Sequence, residues 1–155
     1  MASGRPRTGS EPDILELTHE RLEVQPLVDA LTEPACGAVA TFLGSVRSPN
    51  HGKTVEYIDY QGYEAMIVGE MQRLVEELRS RYDVARIAIV HRLGKLAPAE
   101  VSLAIVVSSA HRRPALEACQ EALELVKARL PIWKYEVGPD DAGYVAGRAE
   151  AAPTL

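Results

Sequence analysis

Two apolar runs constrain the fold of this chain more than any other feature. Residues 36–43 and 101–109 are each nearly continuous in apolar or small side chains. Neither shows the alternation of a half-solvated strand, so each is expected to be a strand covered on both faces. Both fall far short of the roughly 20 apolar residues that a membrane-spanning helix needs. Around them the pattern changes period. Residues 63–82 carry Ile67, Met71, Leu74, Val75 and Leu78 at helical spacing, and residues 114–130 carry Leu116, Cys119, Leu123, Val126 and Leu130 as a second stripe. Pro26 opens a short helix through Leu31. Residues 14–18, 54–60, 86–92 and 132–137 read as further strands. The loop 44–53, with Gly44, Pro49, Asn50 and Gly52, is short, which predicts antiparallel pairing of 36–43 with 54–60. Helices flanking a mixed or antiparallel sheet give an α+β domain.

A chain of 155 residues is one domain's worth. The body is expected over 13–148, with a disordered Gly/Pro/Ser/Arg tail over 1–12 and a loose end over 149–155. The 22 acidic residues outnumber the 17 basic ones, for a formal net charge of −5. A general nucleic-acid binder needs a basic excess, so that class is disfavoured. The N-terminal residues include arginines but no apolar segment behind them, which does not read as a secretory signal. Cys36 and Cys119 are the only cysteines and form no paired motif, so a cytoplasmic location is expected. Both read as packing residues rather than nucleophiles. No His/Cys/Asp group has ligand spacing, and no metal or cofactor is expected.

Against the acidic average, cations gather where the chain turns. Arg47, His51 and Lys53 fall in or beside the first loop, His111, Arg112 and Arg113 between a strand and a helix, Lys127 late in that helix, and Lys134 just after Pro131. Helix N-termini present free N–H groups and partial positive charge, so they favour anions. Arginines placed there are unfavourable unless an anion answers them, and guanidinium suits phosphate or carboxylate oxygens. Two readings stay open on spacing alone. These cations bind an anionic ligand, or they pair with surface carboxylates and snorkel to water. The loop 44–53 lacks the spacing of a nucleotide-binding P-loop. His91 is either a second polar site or a satisfied strand-end histidine, and Trp133 anchors the core or a subunit interface.

Four motifs occur in order: Phe42-Leu43-Gly44-Ser45-Val46-Arg47, His91-Arg92-Leu93-Gly94, Ser109-Ala110-His111-Arg112 and Leu130-Pro131-Ile132-Trp133-Lys134-Tyr135-Glu136. Together they closely resemble the catalytic, or large, subunit of molybdopterin synthase, over nearly the whole body. The resemblance implies an α/β hammerhead-type fold and a sulfurtransferase of molybdenum cofactor biosynthesis. Its substrate would be cyclic pyranopterin monophosphate, converted to the dithiolene of molybdopterin. Sulfur would arrive on a small ubiquitin-like subunit whose C-terminal Gly-Gly ends in a thiocarboxylate. Two large subunits would form a central homodimer within a heterotetramer, with each pocket drawing on both.

Carried over by position, the resemblance makes Lys127 and Lys134 the catalytic residues. Ser45, Val46, Arg47, His111, Arg112, Tyr135, Glu136 and Arg148 join them in binding substrate, with the His111-Arg112 pair contributed across the dimer. The sequence departs from the family pattern at Tyr135, where a second basic residue is frequent, at Gln61-Gly62-Tyr63, and at Tyr144, where a Trp is usual. A non-catalytic adaptor docking a ubiquitin-like partner and a phosphate-ligand regulator are the competing classes. The enzyme requires Lys127, Lys134 and Arg47 to converge on one pocket, whereas the adaptor requires only a groove.

Overall fold

A computed structural model describes residues 12–145. In chain order the elements are β1 (Ile14–Thr18), α1 (Gln25–Leu31), β2 (Ala38–Ser45), β3 (Tyr57–Gly62), α2 (Glu64–Arg81), β4 (Arg86–Arg92), β5 (Gly94–Leu96), β6 (Val101–Ser109), α3 (Arg112–Arg129), β7 (Ile132–Val137) and β8 (Ala142–Tyr144). They build a mixed α+β fold with two four-stranded sheets, ordered β1-β4-β6-β2 and β5-β3-β7-β8. In the first sheet β1 runs parallel to β4, and the other pairs are antiparallel. The second sheet is antiparallel throughout. None of the helices is long and apolar enough to cross a membrane among the described residues.

The apolar run 101–109 is explained by its place in the sheet. β6 lies between β4 and β2, with cover on both faces. Leu103, Ile105 and Val107 meet α2 and α3, joining Ile87 and Ile89 of β4 and the α2 stripe Ile67, Met71, Leu74, Val75 and Leu78. On the opposite face Val106 and Ala88 pack with Leu31 of α1. A strand sandwiched between helical layers has no solvent face and therefore no reason to alternate.

The other run, 36–43, behaves differently from expectation. β2 is an edge strand, only Ala40 is buried in it, and Leu43 is 41% exposed. Nor does it pair with residues 54–60. It pairs with β6 in the register Ala38↔Ser109 to Leu43↔Ala104, while β3 pairs with β5 and β7. A short loop permits a hairpin but does not compel one. The loop spends its length otherwise, carrying the chain from one sheet to the other. Within it Asn50 and Lys53 exchange backbone hydrogen bonds of 2.9 and 3.0 Å around His51 and Gly52. Both central residues have positive φ, 49° and 78°, as a type I′ turn demands.

The stripe expected on α3 is buried at Cys119, Val126 and Leu130 and partly at Leu123, but not at Leu116. Leu116 is 61% exposed, and the buried face is Ala115, Ala118, Cys119, Ala122 and Val126. The helix starts at Arg112, with Pro114 inside its first turn. Its contact face is small because it lies against a packed sheet, where alanines allow close approach and a leucine does not fit. Cys119 packs in that core, and burial raises its thiol pKa to about 11. Cys36 is half-buried.

Candidate functional site

The site forms where the two sheets meet beside the last turn of α3. β2 and its following loop bring Ser45 and Arg47, α3 brings Lys127, and β7 brings Lys134. These residues line one cavity of about 630 Å³. Its wall is apolar, from Phe42, Leu43, Leu103, Leu123, Val126 and Ile132, and its polar floor is Tyr60, His91 and Ser102. The floor residues are only 5–6% exposed.

Arg47, Lys127 and Lys134 have no carboxylate within 4 Å among the described residues, whereas nearby Arg129 and Lys53 do. Arg47 donates to Asn50 Oδ1 at 2.6 Å, and Asn50 Nδ2 donates to Glu136 Oε2 at 3.0 Å. The amide thus holds the guanidinium and the carboxylate apart while orienting both. Lys134 reaches solvent through the cavity, yet the walls strip part of its hydration. Its pKa is lowered first by that desolvation and then by the charge of Lys127, with Glu136 opposing. Three cations therefore share one opening with no carboxylate within 4 Å of any of them among the described residues, Glu136 acting on Lys134 only from farther away. That arrangement is costly unless an anion occupies it.

Two further features shape the floor. The β2–β6 register slips between Gly44 and Ser45, leaving Ser102 without an opposite residue. Such a bulge re-aims a side chain. Ser102 lies against the cavity and donates to Gly44 O at 3.3 Å. Burial raises the Tyr60 pKa, partly offset by a hydrogen bond with Ser102. His91 is bonded through Nδ1 to the Arg92 carbonyl at 2.8 Å, which makes Nδ1 the protonated nitrogen. Burial, opposed by that bond and assisted by Lys134, pushes its pKa down to about 4, so the ring is neutral.

The other predicted residues take different places, although Val46 lines an adjoining cavity with Arg47, Lys127 and Lys134. Val46 is 3% exposed, turned into the second core with Val55, Ile58 and Leu96. Its backbone bonds to Glu100 and Ala99, so it holds the loop in place. Glu136 reaches the site through Asn50. Tyr135 sits across from Tyr144 on β8, their rings 5.1 Å apart, and Tyr144 donates to Gln61 at 3.3 Å. The three departures from the family pattern thus touch one another. His111 and Arg112 are exposed at the start of α3, about 22 Å along the axis from Lys127 at 1.5 Å per residue. One protomer does not bring them to its own cavity. Arg148 lies outside the described residues.

The family model of the MoaE protein matches residues 17–129. The chain belongs to that family. Molybdopterin synthase catalytic subunit 1 of Aedes aegypti is 42% identical over 130 residues, covering 83% of this chain and 84% of the relative. The human molybdopterin synthase catalytic subunit is 38% identical over 125 residues, covering 81% of this chain and 66% of the relative. The crystal structure of molybdopterin synthase from Staphylococcus aureus superposes with a TM-score of 0.81 at 29% identity, covering 85% of this chain and 96% of that one. Within this MoaE-family chain, sequence reasoning missed Tyr60, Ser102 and Asn50 and left the place of His91 undecided. An alternating strand and a polar residue inside an apolar run were the available signals, but neither says which sheet faces which.

Proposed function

We propose that this chain is the catalytic subunit of a molybdopterin synthase, and that its cavity receives cyclic pyranopterin monophosphate and the thiocarboxylate tail of a small ubiquitin-like subunit. The observation that carries the reading is the convergence of Arg47, Lys127 and Lys134 on one cavity with no carboxylate within 4 Å of any of them among the described residues. A phosphate and a thiocarboxylate are both anions, and the apolar wall offers a flat heterocycle a surface to lie on. In the reaction the thiocarboxylate sulfur bonds to a pterin side-chain carbon as that carbon's C–O bond to the cyclic phosphate breaks, leaving negative charge on the phosphate oxygen. Water then hydrolyses the resulting thioester to leave the sulfur on the pterin and a carboxylate on the small subunit. A fixed ammonium beside the phosphate oxygen stabilises charge that grows in the transition state and can donate a proton. Lys127 takes that role, with Lys134 beside it. Arg47 holds the anion at the mouth, next to Ser45.

The working unit is a homodimer within a heterotetramer. His111 and Arg112 stand too far from Lys127 to serve the same protomer's cavity, and β2 presents an unpaired edge with Leu43 exposed. A second copy supplies the His-Arg pair. The test combines the protein with thiocarboxylated small subunit and the cyclic phosphate and assays dithiolene. Product at catalytic turnover supports the reading. Tight binding of the small subunit with no product in any ratio of components would make the chain an adaptor instead.

A further inference from the structure

Tyr60 and His91 form the floor of the cavity, and the reaction as described gives neither of them a task. Their geometry is specific. Tyr60 is the cross-strand partner of Lys134 in the β3–β7 register. Directly opposed residues stand close enough for their side chains to interact. The Lys134 ammonium lies 5.9 Å from the Tyr60 ring centroid. That is within reach of attraction between a cation and an aromatic face. The His91 ring meets the Tyr60 ring edge-on, with centroids 5.4 Å apart and planes at 61°. His91 itself is tied to the Arg92 carbonyl.

We propose that Tyr60 and His91 are positioning residues for Lys134, the tyrosine ring seating its ammonium and the histidine ring bracing the tyrosine. The inference rests on the reading of Lys134 as part of the catalytic site, and it adds how that lysine is held. A lysine side chain has four rotatable bonds and no carboxylate here to anchor it. An aromatic face fixes the ammonium without neutralising it, which an acidic partner would do. The brace must be neutral for the same reason. Lys127 from α3, Lys134 from β7 and Arg47 from the loop already crowd the cavity with positive charge, and among the described residues Glu136 is the one carboxylate that acts on Lys134. The low pKa of His91 is consistent with that requirement.

The geometry has a spectroscopic signature that does not depend on activity. Lysine Hε protons above an aromatic face are displaced upfield by its ring current. Protein labelled at lysine 13Cε is expected to show two upfield-shifted cross-peaks, one from Lys95, which lies 5.0 Å from the Tyr57 ring centroid, and one from Lys134, assigned by its loss in Lys134→Arg. Tyr60→Phe keeps the Lys134 shift, Tyr60→Leu returns that peak to the position of exposed lysines, and His91→Ala moves it part of the way while His91→Phe does not. In the complete synthase, Tyr60→Leu and His91→Ala should lower kcat about 10-fold with KM altered less than about 2-fold, because misplacing a reacting group costs rate rather than binding. The two Phe variants should stay within about 2-fold of wild type on the same argument. An unshifted Lys134 peak in the wild-type protein overturns the proposal, even if no variant folds. So does a folded Tyr60→Leu protein with wild-type kcat. Absence of turnover in the wild-type synthase would instead count against the functional reading, and the resonance experiment would still decide whether Tyr60 seats Lys134.

Discussion

The two ends of α3 both carry cations, and they differ in what those cations do. At the C-terminal end positive charge is favoured by the helix dipole, and at the N-terminal end it is opposed. Yet each end contains one cation that is answered and one that is not. Arg113 donates to Glu117 at 2.8 Å, and Arg129 reaches Glu77 at 2.5 Å. Arg112 and Lys127 have no carboxylate within 4 Å among the described residues. Position along the helix therefore does not separate functional from structural charge. Partnership does, together with the surface the side chain opens onto. Lys127 opens onto an apolar-walled cavity with two more unpaired cations, whereas Arg112 opens onto solvent in a single protomer.

The sharpest test of that contrast is Lys127→Ala. It should lower turnover by about 100- to 1,000-fold, the scale seen when one group stabilising developing charge is lost. Far-UV circular dichroism and small-subunit binding should be unchanged, since an exposed helix lysine contributes little to either. Near wild-type turnover would make Lys127 a snorkelling surface residue and move the assignment to Lys134.

Next in size is a pH effect at the cavity floor. The folded protein holds His91 neutral to about pH 4, while in the unfolded chain it titrates near its ordinary value of 6.5. The unfolded state therefore binds the extra proton first. The stability conferred by the neutral ring is complete above about pH 6.5 and is lost as pH falls toward 4, by an amount on the order of 3 kcal/mol. Urea unfolding of wild type and His91→Phe across this window should show wild type losing stability relative to the variant as the pH is lowered. Parallel curves would mean that His91 does not resist protonation.

The comparison between helix ends predicts a smaller and different effect for Arg112→Ala. It should raise KM about 10-fold with less change in kcat, as expected for an anion contact made in ground and transition states alike. If the pair acts across the dimer, mixing Lys127→Ala with Arg112→Ala subunits should restore about a quarter of wild-type activity at substrate well below KM, where both parent variants are impaired, because half of randomly formed dimers are mixed and each has one intact site. No restoration after subunit exchange would place both residues in the same protomer's site. Smallest of all is Arg113→Ala. Its exposed pairing with Glu117 is solvent-screened, so turnover and the urea midpoint should both stay at wild-type values.

Much of the local structure was legible in the chain. The strands Ile14–Thr18, Arg86–Arg92, Val101–Ser109 and Ile132–Val137 coincide with the apolar and β-branched runs that predict them, and α2 buries all five residues of its stripe. These elements are read correctly because their period is a property of neighbouring residues. β5 and β8, three residues each, are too short for a period to show. The errors on β2 and at Leu116 of α3 have a common cause. Strand partners and the residues a helix buries are settled by what packs against them, and no neighbouring residue reports that.

The sequence by itself determined the family of this chain, the placement of its main strands and helices, and the presence of cations at its turns. Spelling and periodicity are local, so they survive without the fold. Only the tertiary structure decided which of those cations belong together. It brought Arg47, Lys127 and Lys134 to one cavity, from positions up to 87 residues apart, and left His111 and Arg112 at the other end of the helix. It also placed Tyr60 beneath Lys134 through a register between β3 and β7, and His91 of β4 against Tyr60, joining residues distant in the chain. Convergence of that kind depends on sheet order and on close packing of helix against sheet, which are set by the whole core at once rather than by any stretch of it.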